Sequence, residues 1–119
     1  MNELTYTYDE ESDTLSILFP PAEKATGVEL TDHIILHINK ATRRLVRMTL
    51  LDYSILVQQT EFGPRTFPLT GLTDINEELR TIILDILQEK PVTDVLRIAA
   101  YTPSDGKIIP TVLVQPVAT

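Results

Sequence analysis

The sequence predicts an α+β fold: a mainly antiparallel sheet of small strands, one long helix (about 74–89) packed on it, and a C-terminal β-hairpin (about 92–115). Three observations carry that expectation. Apolar and polar residues alternate with period two from Leu4 to Leu50. A helical stripe runs between Asp74 and Glu89, and a Pro-Ser-Asp-Gly turn separates two apolar runs near the end.

In chain order, Leu4, Tyr6 and Tyr8 alternate with Thr5 and Thr7, which predicts a first strand. The acidic stretch Asp9 to Asp13 reads as a turn. Leu15, Ile17 and Phe19 form a second strand, ended by Pro20-Pro21 because proline offers no ladder N–H. Val28 and Leu30 suggest a short third strand, Ile34, Leu36 and Ile38 a fourth, and Val46, Met48 and Leu50 a fifth. Short links between consecutive strands favour antiparallel pairing. The alternation breaks at Leu51 to Ser54, where Asp52 reads as the cap of a short helix. A Pro/Gly-punctuated connector follows from Gly63 to Pro68.

Asp74 then reads as a helix N-cap, with Glu77 as its capping-box partner. Ile75, Leu79, Ile82, Ile83, Ile86 and Leu87 share one stripe, Leu84 widens it, and Pro91 stops the helix. Val92 to Thr102 and Lys107 to Gln115 read as hairpin strands around Pro103-Ser104-Asp105-Gly106, with Pro110 favouring an edge position. The organisation expected is a β-rich module over 1–60, a connector over 61–73, and a helix plus hairpin over 74–119 sharing one core with the first half.

The size, 119 residues, suits one ordinary domain, and 43% hydrophobic residues suffice for a core. With 10 Lys plus Arg against 17 Asp plus Glu, the net charge is −7. That balance disfavours binding to nucleic acid or anionic membrane. The charge is uneven: −7 over residues 1–39 and +3 over residues 40–60, where Lys40, Arg43, Arg44 and Arg47 cluster. The basic cluster reads as a solvated turn. No cysteine is present, so disulfides, thiolate metal sites and thiol nucleophiles are excluded. No apolar run reaches a membrane span and the N-terminus lacks a signal-peptide pattern, so a cytoplasmic location is expected.

The run Tyr8-Asp9-Glu10-Glu11-Ser12-Asp13-Thr14-Leu15-Ser16-Ile17 is similar to the opening of the DUF2283 family of small bacterial domains. The segment Leu45 to Ser54 resembles that family's closing strand, with Arg47 where glycine is common and Tyr53 where alanine is common. The resemblance covers about residues 5–56. It implies a fold but no established activity. Because some members are encoded beside putative toxin genes, it implies an antitoxin-like role as one version.

Candidate chemistry is sparse. Asp9, Glu11 and Asp13 have calcium-ligand spacing, but Thr14 and Pro20 stand where an EF-hand loop needs glycine and glutamate. A turn capped by its own Asp side chains is the simpler reading. His33 and His37 would share a zinc ion on a helix; on a strand they lie roughly 13 Å apart. Asp52, Tyr53 and Ser54 with His37 lack a nucleophile elbow, and the four glycines form no phosphate cradle. No cofactor is expected. The apolar hairpin, with Leu96, Ile98, Ile108, Val112 and Val114 as interface candidates, suggests either sheet extension within the chain or a dimer. The expected function is therefore a non-enzymatic interaction protein, a homo-oligomer or an adaptor for another protein. The alternative is a small-molecule or divalent-metal-binding domain using Asp9, Asp13, His37 or Asp52.

Overall fold

The computed structural model describes residues 4–60, 63–64, 67–69, 71–72, 75–101 and 109–114. The chain forms two compact units, residues 1–53 and 54–119.

The first unit is a sheet of five strands: β1 (Thr5–Asp9), β2 (Thr14–Leu18), β3 (Thr26–Thr31), β4 (Ile34–Asn39) and β5 (Arg44–Leu50). The spatial order is β1-β2-β5-β4-β3, and every pair is antiparallel. β5 inserts between β2 and β4, so the connection from β2 to β3 must cross the end of β5 and of β4. Pairing puts Ile17, Met48, Leu36 and Val28 in one row across the sheet, and all four are buried. Ile34, Ile38 and Leu50 on the same face are fully buried as well. The opposite face carries Thr7, Ser16, Thr49, Ile35 and Glu29 in one row, and Thr5, Leu18, Arg47, His37 and Gly27 in the next. A register shift between His37 and Ile38 leaves Val46 as a bulge in β5. Asp13, Arg43 and Asp52 at the strand ends adopt φ of 52°, 56° and 54°. That left-handed region is accessible to aspartate at a turn through its short polar side chain.

The second unit begins within a single helical turn, α1 (Tyr53–Leu56). The pair β6 (Gln59–Thr60) and β7 (Gly63–Pro64) forms a two-stranded sheet. After β8 (Phe67–Pro68) come helix α2 (Glu77–Leu87), a 3-10 turn (Val92–Asp94), β9 (Leu96–Tyr101) and β10 (Ile109–Val114). β8, β10 and β9 make a three-stranded antiparallel sheet in that order.

The structure corrects the expected fold class. Among the described residues the strands form three sheets, and the long helix expected over 74–89 is an 11-residue helix, Glu77–Leu87. Asn76 is its N-cap, its side-chain oxygen accepting from the Leu79 N–H at 2.8 Å. Asp74 lies outside the described residues. Asparagine caps as well as aspartate does, and the cap nearer the apolar stripe sets the start. The stripe of Ile82, Ile83, Ile86 and Leu87 is buried, and α2 packs beside β9 and the 3-10 turn of its own unit. Residues 92–94 turn instead of extending, and the turn expected at Pro103 to Gly106 lies outside the described residues. β10 is a central strand, not an edge: Thr111 and Val112 pair with Pro68 and Phe67, while Pro110 precedes that stretch. The missing Pro110 N–H is thereby not required by β8.

Candidate functional site

The chemistry-bearing side chains of the first unit collect at the two ends of its sheet. At one end, the β1–β2 turn meets the exit from β5. Asp9 accepts from the Glu11 N–H at 3.1 Å and from the Ser12 hydroxyl at 3.0 Å, closing the turn on itself. The Tyr8 hydroxyl donates to Asp13 Oδ1 at 2.6 Å, and the Asp13 carbonyl accepts the Tyr53 N–H at 2.9 Å. The Tyr8 and Tyr53 rings meet edge-on with centroids 6.0 Å apart. The turn is thus clasped to the end of β5 through both backbone and side chains.

The Tyr8 phenol is pushed up to about 12, first because it donates to the Asp13 carboxylate, then by desolvation and the negative charges of Asp13, Glu10 and Asp9. A raised phenol favours the neutral form in the folded state. Its contribution is complete below the ordinary phenol value near 10 and is lost as pH rises through about 12. In a spectroscopic phenolate titration, Asp13→Asn is expected to bring one late-titrating tyrosine back toward 10; an unchanged profile would mean that Asp13 does not hold the phenol.

Beside this clasp, His33 Nδ1 lies 3.1 Å from Asp52 Oδ2, close but not aligned as a hydrogen bond. The ring and the carboxylate are both partly exposed, at 41% and 50%. The sequence reading made Asp52 the cap of the short helix; the antiparallel pairing of Ile34 with Leu50 instead brings it to His33, each residue lying just outside its strand end. Asp52 precedes α1 with a left-handed backbone, whereas a helix N-cap is typically extended.

The metal candidates therefore separate. Asp9 and Asp13 serve the turn and the clasp, Glu11 is exposed, His33 faces Asp52, and His37 sits on β4 opposite Gly27 and Arg47. Among the described residues, no three His, Cys, Asp or Glu side chains converge in a way that would hold an ion.

At the other end of the sheet, Arg44 binds the crossing loop. Its Nη2 donates to the Phe19 and Pro20 carbonyls, each at 2.8 Å, and its Nη1 pairs with Glu23. Glu23 also accepts from Asn39 Nδ2 at 2.8 Å and from the Thr42 hydroxyl at 3.3 Å.

The interface candidates in the hairpin lie largely inside the second unit. Leu96, Val112 and Val114 are buried, and Ile98 is half-buried in an open groove beside Leu87 and Arg97. Ile108 lies outside the described residues. Of the two alternatives for the apolar hairpin, the structure shows sheet extension within the chain, β10 pairing with β8 as well as β9. Among the described residues, the exposed large apolar side chains are Tyr6, Tyr8 and Ile55.

The fold and the clasp together define the first unit as a small antiparallel β module whose acidic β1–β2 turn is clasped to the end of β5. Its residues 5–54 match the model of a family described as a protein of unknown function, DUF2283. The match spans under half of the chain and coincides with the five-stranded sheet. No curated protein and no solved structure matches the chain. Among the described residues, no helix is long and apolar enough to cross a membrane.

Proposed function

We propose that the protein is a non-enzymatic interaction module that self-associates through the β1 edge of the five-stranded sheet. One observation carries the reading: all five residues of β1 are exposed, Tyr6 and Tyr8 by 44% and 46%. The opposite edge, β3, carries Glu29 and a register shift between Glu29 and Thr31, two devices that discourage strand addition. β1 has no register shift, and its one charge, Asp9, sits at the turn end of the strand, so Leu4 to Tyr8 bears none.

Charge selects the geometry and the occupant. Antiparallel pairing of β1 with β1 of a second copy, centred on Thr7, places each Tyr6 beside a Tyr8 on one face. It also keeps the two acidic turns at opposite ends of the new ladder. Parallel pairing would stack those turns on each other. Sedimentation velocity over a concentration series is the test. The wild-type chain is expected to dimerise and Tyr6→Lys to remain monomeric with an unchanged far-ultraviolet spectrum. A wild-type chain that stays monomeric throughout, or a variant that dimerises equally well, rejects the reading.

A further inference from the structure

The polar face of the five-stranded sheet holds a groove that the self-association reading does not use. The loop from Phe19 to Ala25 crosses toward β3 and leaves a hollow of about 220 Å³. Leu18 and Val46 give it apolar lining, Ala22 and Ala25 border it, and His37 and Arg47 supply its polar groups. The Val46 bulge is pinned there, its carbonyl accepting the Phe19 N–H at 2.8 Å. Bulges recur where a strand re-aims side chains toward a site.

The electrostatics of this hollow are unbalanced. His37 and Arg47 stand directly opposite each other on adjacent strands. Among the described residues, neither side chain has a hydrogen-bond or ion-pair partner. Glu23, which also borders the groove, is committed to Arg44, Asn39 and Thr42. Glu29 lies a row away, opposite Ile35. Burial, and then the charge of Arg47, hold the His37 imidazole below its ordinary value. A neutral donor beside an unneutralised guanidinium, over apolar lining, complements one negative charge attached to a short carbon chain. The hollow is smaller than the roughly 300–1,000 Å³ of drug-sized sites. It therefore suits few atoms.

We infer that this groove binds a short-chain monocarboxylate, with Arg47 pairing with the carboxylate, His37 donating a hydrogen bond to it, and Leu18 and Val46 packing on its chain. Gly27, opposite His37 on β3, is not an obligatory glycine, since a Cβ there would meet the His37 ring at 3.6 Å, an ordinary contact.

The test is a two-dimensional amide NMR titration of the full chain with sodium butyrate. Butylammonium chloride, butanol and inorganic phosphate serve as controls at matched ionic strength. Butyrate is expected to give saturable shifts at the Leu18, Ala25, His37 and Arg47 amides. Arg47→Gln is expected to weaken binding at least about tenfold, because a charge-assisted pair is lost. Ala25→Phe is expected to abolish binding by filling the hollow without changing charge. Both substitutions are at exposed positions and should leave the melting temperature near wild type. In saturating butyrate the His37 titration midpoint should rise, since an adjacent carboxylate favours the imidazolium. Shifts that never saturate or that spread over the surface overturn the inference. So does equal binding by butanol or phosphate, or undiminished binding by folded Arg47→Gln.

Discussion

Leu36→Ala is expected to destabilise the protein by about 3 kcal/mol, measured by equilibrium denaturation. Leu36 is fully buried at the centre of β4, paired with Val28 on one side and Met48 on the other. Truncation removes apolar contact and leaves a cavity between side chains that cannot close it. Both neighbours are anchored to strands whose backbone bonds fix their spacing. The denaturant slope should stay near wild type, because the surface exposed on unfolding barely changes. A loss below about 1 kcal/mol would show that the strands move together to fill the space, and that the row is less rigid than its pairing implies.

Arg44→Met is expected to cost about 2 kcal/mol, by a different mechanism. The substitution keeps the apolar stem and removes the guanidinium that serves Phe19, Pro20 and Glu23 together. A fully buried ion pair broken on one side costs about 3–5 kcal/mol. Here Arg44 and Glu23 are 32% and 22% exposed, so water partly replaces the lost donor and the cost falls below that range. Arg44→Lys separates charge from geometry. One ammonium can face Glu23 but cannot also reproduce the planar fork at two carbonyls, so it should recover less than half of the loss. Full recovery by lysine would mean that charge alone holds the loop, and thermal melts of the three proteins decide the matter.

The faces of the first unit are legible in the sequence, and the neighbours are not. Alternation assigns Leu15, Ile17, Leu36 and Met48 to one side, because successive strand residues must point to opposite faces. Alternation is silent about which strand lies beside which. The insertion of β5 between β2 and β4 depends on where the loop after Phe19 can run, and Arg44 reaching back to it has no local signature. The same limit hid the approach of His33 to Asp52. These residues are far apart in sequence and meet only once Ile34 and Leu50 are known to pair. The acidic turn was readable as a self-capped hairpin because its partners are two to five residues away. In the second unit, the helical stripe was legible while its start was not. The hairpin's apolar character did not reveal whether its residues face a core or a surface, since both demand the same side chains.

The strand order carries a consequence for how this chain acquires its structure. The hairpin of β1 with β2 and the meander of β3, β4 and β5 each join neighbours in sequence. The seam between β2 and β5 instead links Leu15 to Leu50 and Leu18 to Arg47. Closing that seam requires the intervening chain to be gathered in first, which is entropically unfavourable until the meander has shortened the effective loop. The two local pieces are thus expected to form early and the seam late. The rate-limiting event would then be the docking of one preformed hairpin onto the free side of β5. Substitutions at Ile17 and Met48, which face each other across the seam, should therefore slow refolding, because their contact forms in the docking step.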